Sequence, residues 1–140
     1  MIAIDTSVVV AALVTTHESH GESLSALQAA LESPPVVVPG AVLLESYSVL
    51  TRLPAPMRLS PASALRLLRH AFHGCAEVPE LDAGSAWALL AEAVGGALAG
   101  GIIHDAHIAA CARRAGATRV LTLNPRHFAR VAADLGILTP

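Results

Sequence analysis

Short, solidly apolar runs alternate along this chain with longer stretches of helical periodicity. Ile2-Ala3-Ile4 is the first such run, and it stops at Asp5. A run of this kind reads as a strand buried on both faces. Helical patterning follows from about Ser7 to Thr15 and again from about Ser19 to Glu32, where Ser33-Pro34-Pro35 breaks it. Val36-Val37-Val38 predicts a second buried strand, closed by Pro39-Gly40, and a helix from about Ala41 to Arg52 ends near Pro54 and Pro56. Ser60-Pro61 is a helix start, with Ser as N-cap and Pro at the first helical position. The spacing of Leu65, Leu68 and Phe72 places all three on one face.

The second half continues the alternation. Ala76-Glu77-Val78 predicts a third strand and Asp82 to about Val94 a helix. Gly95-Gly96 and Gly100-Gly101 bracket a connection, and a helix from Ile102 to about Ala115 is stopped by Gly116. Val120-Leu121-Thr122-Leu123 is a fourth strand, Asn124-Pro125 opens a last helix, and Gly136-Ile137-Leu138 is a fifth short strand. Strands alternating with helices predict an α/β fold with a central parallel sheet of four to five strands, covered on both faces. With no repeat, linker or low-complexity tract, residues 1–140 read as one domain. In such sheets ligands bind beyond the carboxyl ends of the strands. Asp5 and the Thr122–Asn124 segment both map to that rim.

Composition sharpens this picture. Apolar residues make up 54% of the chain and charged residues 14%. That excess predicts an oligomer or a protein partner, with an Ala- and Leu-rich coding bias as the alternative source. All of the basic side chains are Arg, so chemistry that needs a catalytic Lys is excluded. The net charge of −2 gives no global basic field, and a nucleic-acid reading must rest on local chemistry. Cys75 and Cys111 form no CxxC pair, and Cys111 reads as a small apolar thiol in an Ala-rich helix. The start of the chain lacks a basic leader and no apolar run is long enough to span a membrane, which predicts a cytoplasmic protein.

Three carboxylates stand out of place. Asp5 directly follows an apolar strand; Glu45 has Ala41, Val42, Ser48 and Val49 as its helical neighbours; Asp105 has Gly101, Ile102, Ile108 and Ala109. Each has a bland reading, namely an N-cap, an exposed helix face and a first-turn Asp favoured by the dipole. Gathered on one rim they would repel by roughly 4 kcal/mol per pair at 4 Å, and a cation would be needed. Oxygen-only ligands suit Mg²⁺ or Mn²⁺, and a water on such an ion can attack a phosphodiester. Phosphoryl transfer through Asp5 is disfavoured, because the second Asp that haloacid-dehalogenase-like enzymes place two residues on is Ser7 here and their Lys is missing.

In order, Ile4-Asp5-Thr6-Ser7, the helical Glu45 after Val36 to Pro39, Asp105-Ala106-His107-Ile108-Ala109-Ala110, and Leu121-Thr122-Leu123-Asn124-Pro125-Arg126-His127-Phe128 form a pattern. The chain resembles the PIN-domain family over nearly its full length, and more narrowly the VapC-type toxins of prokaryotic toxin–antitoxin pairs. The resemblance implies a three-layer α/β/α fold, Mg²⁺ or Mn²⁺, RNA as substrate, and products with a 5′-phosphate and a 3′-hydroxyl. It implies that Asp5, Glu45 and Asp105 hold the metal, with hydroxyl support from Thr6 or Ser7 and from Thr122. It further implies a homodimer and a small antitoxin that blocks the acidic cleft. Many members carry a fourth acid where this chain has Asn124 or His127. Asn124 can offer a metal an oxygen without charge, and as Asn before Pro it also fits a helix N-cap. A module that binds RNA or an antitoxin without cutting is therefore the second reading.

Other residues are assigned from their setting. Arg126 and Arg130, four apart on one helix, would grip RNA phosphates together with His127, or else serve as ordinary helix surface. Arg113 and Arg114 suit the carboxyl end of their helix. His104 and His107 read as surface or cleft-edge residues, since no Cys or Glu is seen to complete a zinc set, and His17, His20, His70 and His73 read as solvated. One Trp, one Tyr and two Phe are too few for a base-stacking platform.

Overall fold

The computed structural model describes residues 1–33 and 35–140, so Pro34, expected to help break the second helix, lies outside the described residues. Among the described residues five strands are found: β1 (Ile2–Ile4), β2 (Val36–Val37), β3 (Ala76–Glu77), β4 (Arg119–Leu121) and β5 (Gly136–Leu138). All pair in parallel, in the order β3-β2-β1-β4-β5. Parallel neighbours require crossovers, and the helices supply them: α1 (Thr6–Leu13), α2 (His20–Glu32), α3 (Gly40–Arg52), α4 (Pro61–Phe72), α5 (Ala83–Gly95), α6 (Ile102–Arg114) and α7 (Pro125–Val131). The helices pack in two groups, α1 with α2 and α3 and α3 with α4, then α5 with α6 and α6 with α7. The chain steps outward from β1 to β3, then returns to β4 and steps out the other way. With right-handed crossovers, that reversal puts the two groups on opposite faces of the sheet. The result is a three-layer α/β/α architecture.

The core explains the strand composition. Ala3, Ile4, Val36, Val37 and Val120 are fully or almost fully buried, as two covered faces demand. Phe128 of α7 and Leu50 of α3 are fully buried and join the same core. Ser60 caps α4 by accepting from the Ser63 N–H at 3.1 Å, with Pro61 at the first turn. Asp82 caps α5 through the Ser85 N–H at 2.8 Å. Gly116, at φ +76°, provides the left-handed residue that stops α6.

Several boundaries differ from expectation. Thr122 and Leu123 lie beyond β4, because the Leu123 and Asn124 N–H groups are turned to side-chain hydroxyls of the site. Val78 lies beyond β3 and is exposed. Leu65 lines one groove with Leu68 and Phe72, as their spacing predicts, but at its outer edge. It is 47% exposed and lines a surface groove with Leu43, Leu44, Tyr47 and Val78.

Candidate active site

The reversal of strand order falls between β1 and β4, and their carboxyl ends open side by side. The Asp5 N–H donates to the Leu121 carbonyl at 3.0 Å, which locks the residue after β1 to the end of β4. A crevice at such a switch point is where an α/β sheet offers a ligand site. Here it is a cavity of about 870 Å³ lined by Asp5, Glu45, Asp105, Asn124, His127 and Arg130, among others.

Asp5 occupies the N-cap position of α1, yet its side chain makes no cap bond. Its Oδ2 instead accepts from the Ser7 hydroxyl and from the Thr122 hydroxyl at 2.8 Å. Those hydroxyls are themselves oriented: the Leu123 N–H donates to Ser7 Oγ at 3.0 Å and the Asn124 N–H to Thr122 Oγ1 at 2.9 Å. Asp5 is 3% exposed and Thr122 is fully buried, so this network is fixed by packing as well as by bonds. Thr6 serves a different carboxylate, donating to Glu45 Oε2 at 2.9 Å. Glu45 stands on α3 and is exposed towards the cavity.

Asp105 lies in the first turn of α6, its side chain only 14% exposed. Burial pushes its pKa up, the negative charges of Asp5 and Glu45 add to that, and a bond from His127 opposes it. His127 Nδ1 stands 3.0 Å from Asp105 Oδ2. Asp5 and Glu45 are near enough for their charge to act on Asp105, and all three side chains line the one cavity. The expected residues thus converge from β1, α3 and α6.

Other expectations are corrected. Asn124 sits at the N-cap position of α7 but makes no side-chain cap bond; it lines the cavity instead. Arg130 lines the cavity, whereas Arg126, exposed on the same helix, is not among the residues that line it. His17 is half-buried and lines the cavity, accepting from the Ser19 N–H at 3.1 Å. His20 is likewise half-buried, 3.1 Å from the Ala11 carbonyl. Glu18 and His104 also line the cavity. Glu18 went unassigned because its segment between α1 and α2 carries no periodicity to show which way it faces. Arg113 and Arg114 are engaged elsewhere, with Asp134 and Asp82.

The family model for the PIN domain matches residues 2–134. Ribonuclease VapC40 of Mycobacterium tuberculosis is 37% identical over 131 residues, covering 90% of this chain and 88% of that protein. The chain belongs to the PIN-domain family. A second relative, Ribonuclease VapC27 of Mycobacterium tuberculosis, is 44% identical over 71 residues, and that match spans only about half of each chain, 51% of this one and 49% of the relative. Among solved structures, Mycobacterium tuberculosis VapC20, described as a Sarcin-Ricin loop cleaving toxin, superposes with a TM-score of 0.68 at 22% identity, over 86% of this chain and 87% of its own. A chain of VapBC2 from Rickettsia felis, bound to a promoter DNA fragment, gives 0.67 at 20% identity, over 100% and 99%. At those identities the two structures speak for the PIN fold alone.

Proposed function

We propose that this PIN-domain protein is a metal-dependent endoribonuclease, the toxin of a toxin–antitoxin pair, and that Asp5, Glu45 and Asp105 are its metal-binding and catalytic carboxylates. The observation that carries the reading is the convergence of those three side chains from separate elements on one cavity at the strand-order reversal. The naming of the relatives as ribonucleases supports it.

The residues fit a hard divalent ion. The donors are all oxygens, and the repulsion that Asp5 and Glu45 impose on Asp105 is what a cation would relieve. Mg²⁺ or Mn²⁺, held by Asp5, Glu45 and Asp105 with Asn124 as a neutral further donor, would supply a water acidic enough to attack phosphorus and would offset the charge that develops there. The chain's own contribution is preorganisation. Ser7 and Thr122 fix Asp5, Thr6 fixes Glu45, and His127 sets the rotamer of Asp105. Arg130 and His127 on the cavity wall, with Arg126 further out, would hold the RNA backbone. His17 and His104 offer further polar edges.

The apolar groove that includes Leu44 and Tyr47, and the exposed Trp87, Leu90 and Val94 of α5, are the surfaces that homodimer formation and an antitoxin would cover. No helix among the described residues is long and apolar enough to cross a membrane. A cytoplasmic site of action goes with the toxin reading.

The second reading, an RNA- or antitoxin-binding module without cleavage, is favoured by the neutral Asn124 and by His127 where many family members hold a fourth acid. Cleavage of RNA with Mn²⁺ by the wild type, compared with Asp5→Asn and Asp105→Asn, separates the two. Activity lost in both variants supports the nuclease; the same background in all three proteins leaves the binding module.

A further inference from the structure

Two residues beyond Asp105, α6 turns a different set of donors towards the loop that joins β3 to α5. His107 and Cys111 are four apart and share a helix face. Glu80 comes from that loop, and its carboxylate lies where a side chain at Gly40 would otherwise stand. His107 Nε2 is 3.7 Å from Cys111 Sγ and 3.8 Å from Glu80 Oε2, and the three donor atoms all lie within 4.8 Å of one another. The nitrogen–oxygen separation is too long for a hydrogen bond. Around a tetrahedral zinc ion, with bonds of about 2.0–2.3 Å, neighbouring donors stand about 3.3–3.6 Å apart. The two separations approach that spacing.

We propose that Glu80, His107 and Cys111 form a second metal site, separate from the acidic cavity, that takes a borderline-soft divalent cation of the zinc class. The donor set is one carboxylate, one imidazole and one thiol, which suits zinc and discriminates against Mg²⁺. Binding displaces the thiol proton to solvent, and the two resulting anions neutralise the dication, with water in the fourth position. Burial, and after it the charge of Glu80, push the Cys111 thiol up to about 11, against a bond from the Leu81 backbone. Cys111 is fully buried and His107 half-buried, whereas Glu80 is 55% exposed on its side chain, which leaves the site open to ions from that side. An ion here ties the loop after β3 to the helix that carries Asp105. Neither the donor set nor its geometry depends on the nuclease reading.

Cobalt(II) titration of the full chain tests this directly. The protein carries Cys75→Ser, which removes the exposed thiol and leaves Cys111 as the sole source of a thiolate signal. The expected result is a thiolate-to-cobalt charge-transfer band that saturates at one equivalent, is displaced by zinc and is unmoved by excess Mg²⁺. Glu80→Gln should weaken cobalt affinity about tenfold or more. Gly40→Ala should do the same with all three ligand residues unchanged in identity, since the new methyl would push the Glu80 carboxylate out of place. Cys111→Ser should abolish the band, but a buried position can cost the fold, so the first two variants decide. No band in the folded Cys75→Ser protein, or an affinity that neither Glu80→Gln nor Gly40→Ala lowers, overturns the proposal.

Discussion

Helix α6 carries two donor sets two residues apart, and they are built on opposite physical terms. Asp105 belongs to a set of carboxylates around an open cavity, held by hydroxyls and by His127. His107 and Cys111 belong to a set with a buried thiol, reached from one side only through Glu80. In the first set burial, and after it the negative charges of Asp5 and Glu45, push the Asp105 pKa up, and the all-oxygen donors call for a hard, hydrated ion. The second stores no repulsion until the thiol ionises, and calls for an ion that tolerates sulfur. One helix can serve both because successive residues turn through about 100°, so positions two apart face different neighbours.

The comparison can be broken most directly at Asp5. Asp5→Asn should lower Mn²⁺-dependent RNA cleavage roughly 100-fold or more, read by gel assay, because one carboxylate of the hard set is lost. A variant that keeps near-wild-type rates would sever the acidic cavity from the chemistry. Asp105→Asn sharpens the contrast from the other side. It should lose cleavage to a similar degree while keeping the cobalt–thiolate band at full height, since the soft set does not include it. Loss of the band as well would mean the two sets act as one.

Thr122→Val probes the support of the hard set. It removes a buried donor to Asp5 and leaves the Asn124 N–H without its acceptor. The cost should be about 1–3 kcal/mol in urea unfolding, with a smaller loss of cleavage than Asp5→Asn. The far end of α6 gives a weaker, pH-dependent effect. A bond from Arg113 holds the Asp134 carboxyl at about 2 against a usual 3.8. A carboxylate depressed in the native state contributes stability above its unfolded pKa and loses it as pH falls from about 4 towards 2. Both side chains are substantially exposed, at 41% and 57%, so the contribution should stay within about 1 kcal/mol. Thermal melts of wild type and Asp134→Asn should differ at pH 6 and converge near pH 2. The smallest change is expected at Ser46, a fully buried hydroxyl of α3 without a partner among the described residues. Ser46→Ala should be neutral or stabilise by up to about 1 kcal/mol, measured by the same melts.

What could be read from the sequence alone follows its periodicities. The apolar runs at Ile2, Val36 and Val120 fall in strands, the Ser60 cap starts a helix and the stretch from Asp82 is helical, because these features are set by neighbours within a few residues. The order Asp5, Glu45, Asp105 marked the cavity because a carboxylate at a strand end or on an apolar stripe is conspicuous locally. Only the tertiary structure decided how strand order reverses between β1 and β4, and with it which side chains meet. It turned the Asp5 side chain from helix cap to hydroxyl network, placed Arg130 rather than Arg126 on the cavity, and brought Glu80 to His107 and Cys111. Those meetings join residues as many as 117 positions apart, and a spacing along the chain carries no information about distances set by packing.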